Sequence, residues 1–318
     1  MLHRRERTVL HYDVAICATP SVAPTQPLLT IIQQLKTAAD KGDAVWLRNK
    51  GRAAVRISHV MIYNQGTRAA LLMQHANKDT ADPSFSQLAT GAIRTEPKLQ
   101  GEGVAVSAHV FVDLTAPTIT KSGGTYHLLL ESVPGLTRSY ILGAIHAVLR
   151  VHGQYDFKDV NGVIRPARPM LEFSPRLSEC FLQDVAKGKL SNIILLKREN
   201  VSDLFDADPD VKAREATLKV VPITKSTGTG AIEVVRKVMK MGRDEGYTNA
   251  RITYTDEQGK PKYPVFGIDQ ADTFDALVAK TSAFHVDNDL SQCEARIRSD
   301  VSQKMQALLN QHLAGIAA

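Results

Sequence analysis

Residues 53–63 read Ala53-Ala54-Val55-Arg56-Ile57-Ser58-His59-Val60-Met61-Ile62-Tyr63, and the fold class follows from their alternation. Val55, Ile57, His59 and Met61 alternate with Arg56, Ser58, Val60 and Ile62, close to the period of two that a β-strand imposes. Lys50-Gly51 lies just before the stretch and Gln65-Gly66 just after it, and both pairs suit hairpin turns. With strands expected over 44–49 and 69–75, the result is an antiparallel meander. Further strands are expected over 8–16, 104–114 and 126–132. A helix over 27–41 places Leu28, Ile31, Ile32 and Leu35 on one face, and a second over 137–152 ends at Gly153.

The second half alternates strands with helices. Strands are expected at 169–173, 192–197 and 216–223, helices at 175–186 and 230–245, and a hairpin over 250–255 and 263–266. A helical stretch over 273–281 precedes a terminal helix over 289–314, with the stripe Leu290, Cys293, Ile297, Val301, Met305 and Leu308. The fold class expected is therefore α+β in two domains. Residues 1–153 form an antiparallel sheet domain with two helices, and residues 154–318 an α+β domain with a basic helix and the long terminal one. The polar segment 77–103 and the acidic stretch 203–210 read as loops.

At 318 residues, with 43% hydrophobic and 23% charged residues, the chain has ordinary globular composition and is long enough for two domains. Cys17, Cys180 and Cys293 are far apart, odd in number and without C-x-x-C spacing, which argues against a disulfide framework or a structural zinc site and predicts reduced, buried thiols. No run approaches the ~18 apolar residues of a membrane span, and His11 and Asp13 break the apolar run behind the basic amino terminus. A cytoplasmic location is expected, with no cofactor and no resident metal.

The formal net charge is +6, and its placement carries more information than its size. Between Ala44 and Lys78 there is no acid, while Arg48, Lys50, Arg52, Arg56, Arg68 and Lys78 all fall there. Between Lys212 and Arg243 eight basic residues, among them Lys219, Lys225, Arg236, Lys237, Lys240 and Arg243, stand against Glu215 and Glu233. Thr227-Gly228-Thr229-Gly230 opens the helix there. Uncrowded backbone N–H groups around Thr229 and Gly230 suit a phosphate oxygen, although Ala231 and Ile232 replace the Lys and Ser of a nucleotide-binding P-loop. These two regions make double-stranded DNA the expected ligand.

Two other readings compete. Asp82, Glu96 and Lys98, with Asp79 near them, offer the carboxylates and lysine of a metal-dependent nuclease, but Pro97 interrupts the spacing. A protein-sensing module that docks an acidic phage or host protein would use the same basic faces. Asp206, Asp208 and Asp210 begin like a calcium loop, yet Val211 stands where the loop needs glycine. Trp46 reads as core.

The order of elements carries one resemblance. Val110-Phe111-Val112-Asp113, the strand and helix over 128–149, the strand-helix unit over 217–240, the hairpin over 251–265 and the closing Glu294-Ala295-Arg296-Ile297-Arg298-Ser299-Asp300-Val301 together resemble the RexA-like family of phage-exclusion proteins. The resemblance implies a homodimeric, sequence-tolerant DNA binder with a second domain that can swing, acting with a partner effector in abortive phage defence. It places the DNA surface on Lys219, Arg236, Lys237, Lys240 and Arg243. The 77–103 excursion and the 203–210 loop depart from the family pattern.

Overall fold

The computed structural model describes residues 3–115, 118–120, 123–176, 190–197, 216–221, 229–245, 247, 249–255, 261–262, 265–267 and 279–316. The architecture is α+β. In chain order the first strands are β1 (Glu6–Thr19), β2 (Val45–Arg48), β3 (Ala53–Tyr63), β4 (Arg68–Asn77), β5 (Ser84–Ser86) and β6 (Ile93–Thr95). They continue with β7 (Val104–Asp113), β8 (Thr118–Thr120), β9 (Gly123–Glu131), β10 (Tyr155–Lys158), β11 (Ile164–Pro175) and β12 (Leu190–Lys197). β13 (Ala216–Val220), β14 (Asn249–Thr255), β15 (Pro261–Lys262), β16 (Val265–Gly267) and β17 (Thr281–His285) complete the strands. The helices are α1 (Leu28–Asp40), α2 (Arg138–His152), α3 (Thr229–Asp244) and α4 (Ser299–Ile316).

One large antiparallel sheet runs in the order β10-β11-β1-β9-β7-β4-β3-β2, with β17 also on β1 and β8 on β9. The expected turns are present. Asn49, Lys50 and Gly51 have φ of 48°, 55° and 81°, and Asn64, Gln65 and Gly66 repeat the arrangement at 51°, 55° and 91°. The left-handed region favours Asn and Gly, which explains the matching Asn-x-Gly sequences of the β2–β3 and β3–β4 hairpins. α1 and α2 cover one face of the sheet. There Leu28, Ile32 and Leu35 meet Val14, Leu71, Val110, Leu128 and Leu171 in a common apolar interior. α4 covers the other face, where its Val301, Met305 and Leu309, each fully buried, meet Val9, Ala70, Phe111 and Leu129. Burial of each such side chain contributes about 1.5–3 kcal/mol.

Helix α4 begins ten residues later than its apolar stripe predicts. Leu290 and Ile297 do pack on the sheet, but from an irregular strap rather than a helix. Strand side chains hold the strap's backbone. Gln74 Nε2 donates to Glu294 O at 2.7 Å, Ser107 Oγ accepts from Glu294 N at 2.7 Å, and His109 Nε2 accepts from Arg298 N at 3.2 Å. These bonds compete successfully with the helical ones. Beneath the strap lies a buried ionic group: Arg7 Nε donates to Glu131 Oε1 at 2.7 Å, while Glu131 Oε2 accepts from His109 N at 2.9 Å and His109 Nδ1 at 2.8 Å. His109 thus carries its proton on Nδ1 and accepts through Nε2. Burial works to raise Glu131, but its hydrogen bonds with His109 and the charge of Arg7 outweigh it and hold the carboxyl below its ordinary range.

The chain divides into two compact units, residues 1–175 with 281–318, and residues 176–280. This differs from a boundary at 153/154. β10 and β11 follow that boundary yet join the first sheet, because β11 pairs with β1 from Tyr12↔Pro175 to Thr19↔Arg168. β17 and α4 return to the same sheet, so the long terminal helix belongs to the first unit. In the second unit the sheet runs β13-β12-β14-β15, with β16 also on β14. α3 packs on it through Val235, Val238 and Met239 against Ile193, Leu195, Ala250 and Ile252. The helix expected over 175–186 falls largely outside the described residues, as do the acidic stretch 203–210, the hairpin turn 256–259 and most of the helical stretch over 273–281.

Candidate functional site

At the end of the large sheet where β4 finishes and β7 begins, a cavity of about 800 Å³ opens. Among the described residues its lining holds no carboxylate. His3 and Arg4 precede β1, Arg7 lies on it, and His75 lies near the end of β4; these supply the cationic and imidazole groups. Asn77 and Gln292 supply amides, and Val104, Val106, Tyr140 and Leu290 supply apolar surface. Sequence reasoning missed this site because its residues come from five separate segments. The one local signal was His75, a polar side chain at an inward position of a strand otherwise rich in Ala and Leu.

An aromatic and cationic stack adjoins the cavity. Arg48 Cζ sits 4.0 Å from the Tyr140 ring centroid and 4.8 Å from that of Trp46. His75 meets Tyr140 edge-on at 5.3 Å. Trp46 lies so close to α2 that a Cβ at Gly143 would stand 2.5 Å from its ring atoms, which accounts for glycine there. Burial, joined by the charge of Arg48, pushes His75 below the ordinary imidazole range against an opposing hydrogen bond to the Gly135 backbone. The ring is therefore neutral near pH 7.

The acid-free stretch between Ala44 and Lys78 does not form a single open cationic surface. Arg48 is engaged in the stack, Arg52 Nε bonds Asp79 Oδ1 at 2.6 Å, and Arg68 pairs with Asp113 at 2.5 Å. Arg56 is exposed, with Nη1 on Gly42 O at 3.3 Å, and Lys50 and Lys78 are exposed. The neutralising acids lie just beyond the stretch, at Asp79, or on the neighbouring strand, at Asp113.

In the second unit Lys237 and Lys240 are exposed on the solvent side of α3, whose opposite side is core. Glu233, Asp244 and Glu245 are exposed on the same helix or just beyond it, so the described outer surface carries both signs. Met239 is buried and Met241 is exposed. Lys219 does not join this face. It pairs across β12 with Ile194, which pairs with Arg251, whereas the α3-facing row is Leu218, Leu195 and Ala250; Lys219 and Arg251 therefore share the face away from α3. Thr229 begins the helix and Gly230 is exposed with open space around it. Lys225 lies outside the described residues, as do the side chains of Arg236 and Arg243.

The nuclease triad is only half assembled. Lys98 Nζ pairs with Asp82 at 2.7 Å, but Glu96 pairs with Arg94 instead. Among the described residues no group of three or more His, Cys, Asp or Glu is placed to hold a metal ion. Cys17 and Cys293 are free thiols, half-buried, each raised by burial. No described helix is long and apolar enough to cross a membrane. No protein-family model and no curated protein matches the chain.

Proposed function

We propose that this protein binds double-stranded DNA without chemistry, holding the phosphate backbone through the outer row of α3. The observation that supports the reading is the commitment of Val235, Val238 and Met239 to the core, which leaves Lys237 and Lys240 one turn apart in solvent. Lysines so placed reach successive phosphates and release the counterions condensed there. Lys219 belongs to a separate face and is not part of this contact. In the role that the RexA-like resemblance implies, a cytoplasmic homodimer passes the DNA signal to a partner effector in anti-phage defence. Because the α4 stripe is buried against its own sheet, this reading puts the proposed dimer contact on another surface.

Fluorescence anisotropy of a labelled random-sequence duplex tests the reading. Each lysine contributes roughly 0.9 to the slope of log affinity against log salt, so the two account for about a tenfold loss between about 50 and 200 mM salt. Lys237→Glu/Lys240→Glu removes that part of the slope and weakens binding at every salt concentration. Absence of binding at low salt, or an unchanged slope in the double variant, refutes it.

A further inference from the structure

We infer that the cavity at the end of the large sheet is a binding site for a nucleoside monophosphate unit. Its volume of about 800 Å³ exceeds what an inorganic anion fills. It falls within the roughly 300–1,000 Å³ of sites for small organic ligands. The lining separates into the three chemistries that such a unit presents: apolar surface for a ring, amides for the ring's edge, and cations for a phosphate.

Arg7 is not the phosphate ligand, because Glu131 and the carbonyls of His3, Glu6 and Ser291 already take its donors. Arg4 is. Its side chain is 81% exposed and contacts Asp289 Oδ2 at 2.5 Å through Nη2. Asp289 also binds Arg5 Nε at 2.7 Å, so two guanidiniums share one carboxylate and the trio keeps a positive charge beside His3. So exposed a guanidinium suits a phosphate, which it grips with two parallel N–H donors.

The amides are fixed in complementary senses. Asn77 Oδ1 accepts from Asp79 N at 2.9 Å, which leaves its Nδ2 group as the donor. Gln292 Nε2 donates to Ala105 O at 3.2 Å, which leaves its Oε1 as the acceptor. One donor and one acceptor on the lining of one cavity match the acceptor and donor on a nucleobase edge. Val104, Val106 and Leu290 supply the apolar contact for the ring, and Arg48 over Tyr140 holds that aromatic wall in place. A free nucleotide and the phosphorylated end of a nucleic-acid strand share this chemistry.

Isothermal titration of the full chain with AMP, GMP, CMP and UMP tests the site. At least one binds with a dissociation constant between about 10 µM and 1 mM, and Arg4→Gln weakens it about tenfold while binding of the parent nucleoside is unchanged. Val104→Phe fills the ring position and weakens nucleotide and nucleoside alike; because Arg4 is exposed, Arg4→Gln stands as the test if Val104→Phe does not fold. Displacement of the nucleotide by a 5′-phosphorylated oligonucleotide, and not by its unphosphorylated twin, identifies a strand end as the source. Failure of both to displace it identifies the free nucleotide. Lys237→Glu/Lys240→Glu leaves nucleotide binding intact, so this site and the DNA surface stand or fall separately. No binding of any of the four at about 5 mM, or equal binding by wild type, Arg4→Gln and Val104→Phe, overturns the inference.

Discussion

Replacing Glu131 by Gln keeps the shape of the side chain and removes its charge. The side chains of Arg7 and Glu131 are 3% and 4% exposed, so the variant leaves a guanidinium buried without its counter-charge. Breaking such a pair costs about 3–5 kcal/mol, a large share of the roughly 5–15 kcal/mol that holds a typical domain together. Removing both charges is a different experiment. In Arg7→Met/Glu131→Gln neither ion of this pair remains, and the amide carbonyl introduced at position 131 still accepts from His109. The double variant therefore recovers more than half of the loss.

Urea unfolding followed by fluorescence measures both. Trp46 is the only tryptophan and belongs to the first unit, so its emission reports the unit that contains the mutation. The Glu131→Gln midpoint falls by about 1–2 M. A change below about 0.5 kcal/mol, or a double variant less stable than the single one, refutes the argument that charge burial dominates here. The pH dependence has a definite sign. Because the folded carboxyl is held below its ordinary value, its stabilisation is complete above about pH 4.3 and disappears as pH falls through the folded value, a loss absent in Glu131→Gln.

Two further outcomes are expected. Burial lowers both His75 and His146, the latter despite its hydrogen bond to Leu171 O at 2.9 Å; their contribution is complete above about pH 6.5 and declines as pH falls below it. The thermal midpoint therefore drops between about pH 7 and pH 5.5, and His75→Gln/His146→Gln flattens that drop; an equally steep curve in the variant excludes these histidines as its source. Gly143→Ala pushes a methyl into the Trp46 ring and costs about 1–3 kcal/mol with a shift in Trp46 emission, whereas unchanged emission and stability would show that α2 yields freely.

Local physics made the elements of the first sheet readable. Period-two alternation marked β3, Lys50-Gly51 and Gln65-Gly66 marked its two turns, and Leu28, Ile31, Ile32 and Leu35 marked the buried side of α1. What was not readable depends on partners far away in sequence. Nothing in residues 281–285 announces that they return to β1, and the apolar spacing of Leu290, Cys293 and Ile297 mimics a helix because the strap also turns a side chain inward every three or four residues. The basic stretch misled for the same reason, since a window free of acids says nothing about Asp113 on a neighbouring strand. On α3 the core side is Val235, Val238 and Met239, and the exposed acids around Lys237 and Lys240 dilute the cationic face that a count of lysines and arginines suggests.

The point at which the second unit is inserted is set by the register of β1. Pro175, the last residue of β11, stands opposite Tyr12, and Thr281, the first of β17, stands opposite Leu10. Both strands run antiparallel to β1 along the same edge, so β17 resumes the line that β11 leaves, with only the position opposite His11 between them. Two residues of strand span about 7 Å. Arg176 O accepts from Lys280 N at 2.6 Å, so the inserted segment closes on itself where it leaves the edge. A segment that departs and returns at one point of an edge can be removed without stretching the sheet. Replacing residues 177–279 by about two glycines is therefore expected to leave the first unit folded, with its Trp46 unfolding transition within about 1 kcal/mol of the full chain. The same deletion removes α3 and keeps Arg4, Asn77 and Gln292. Loss of duplex binding with retention of nucleotide binding would locate each ligand on its own unit; a shortened chain that fails to fold would show instead that the first sheet depends on what is inserted into its edge.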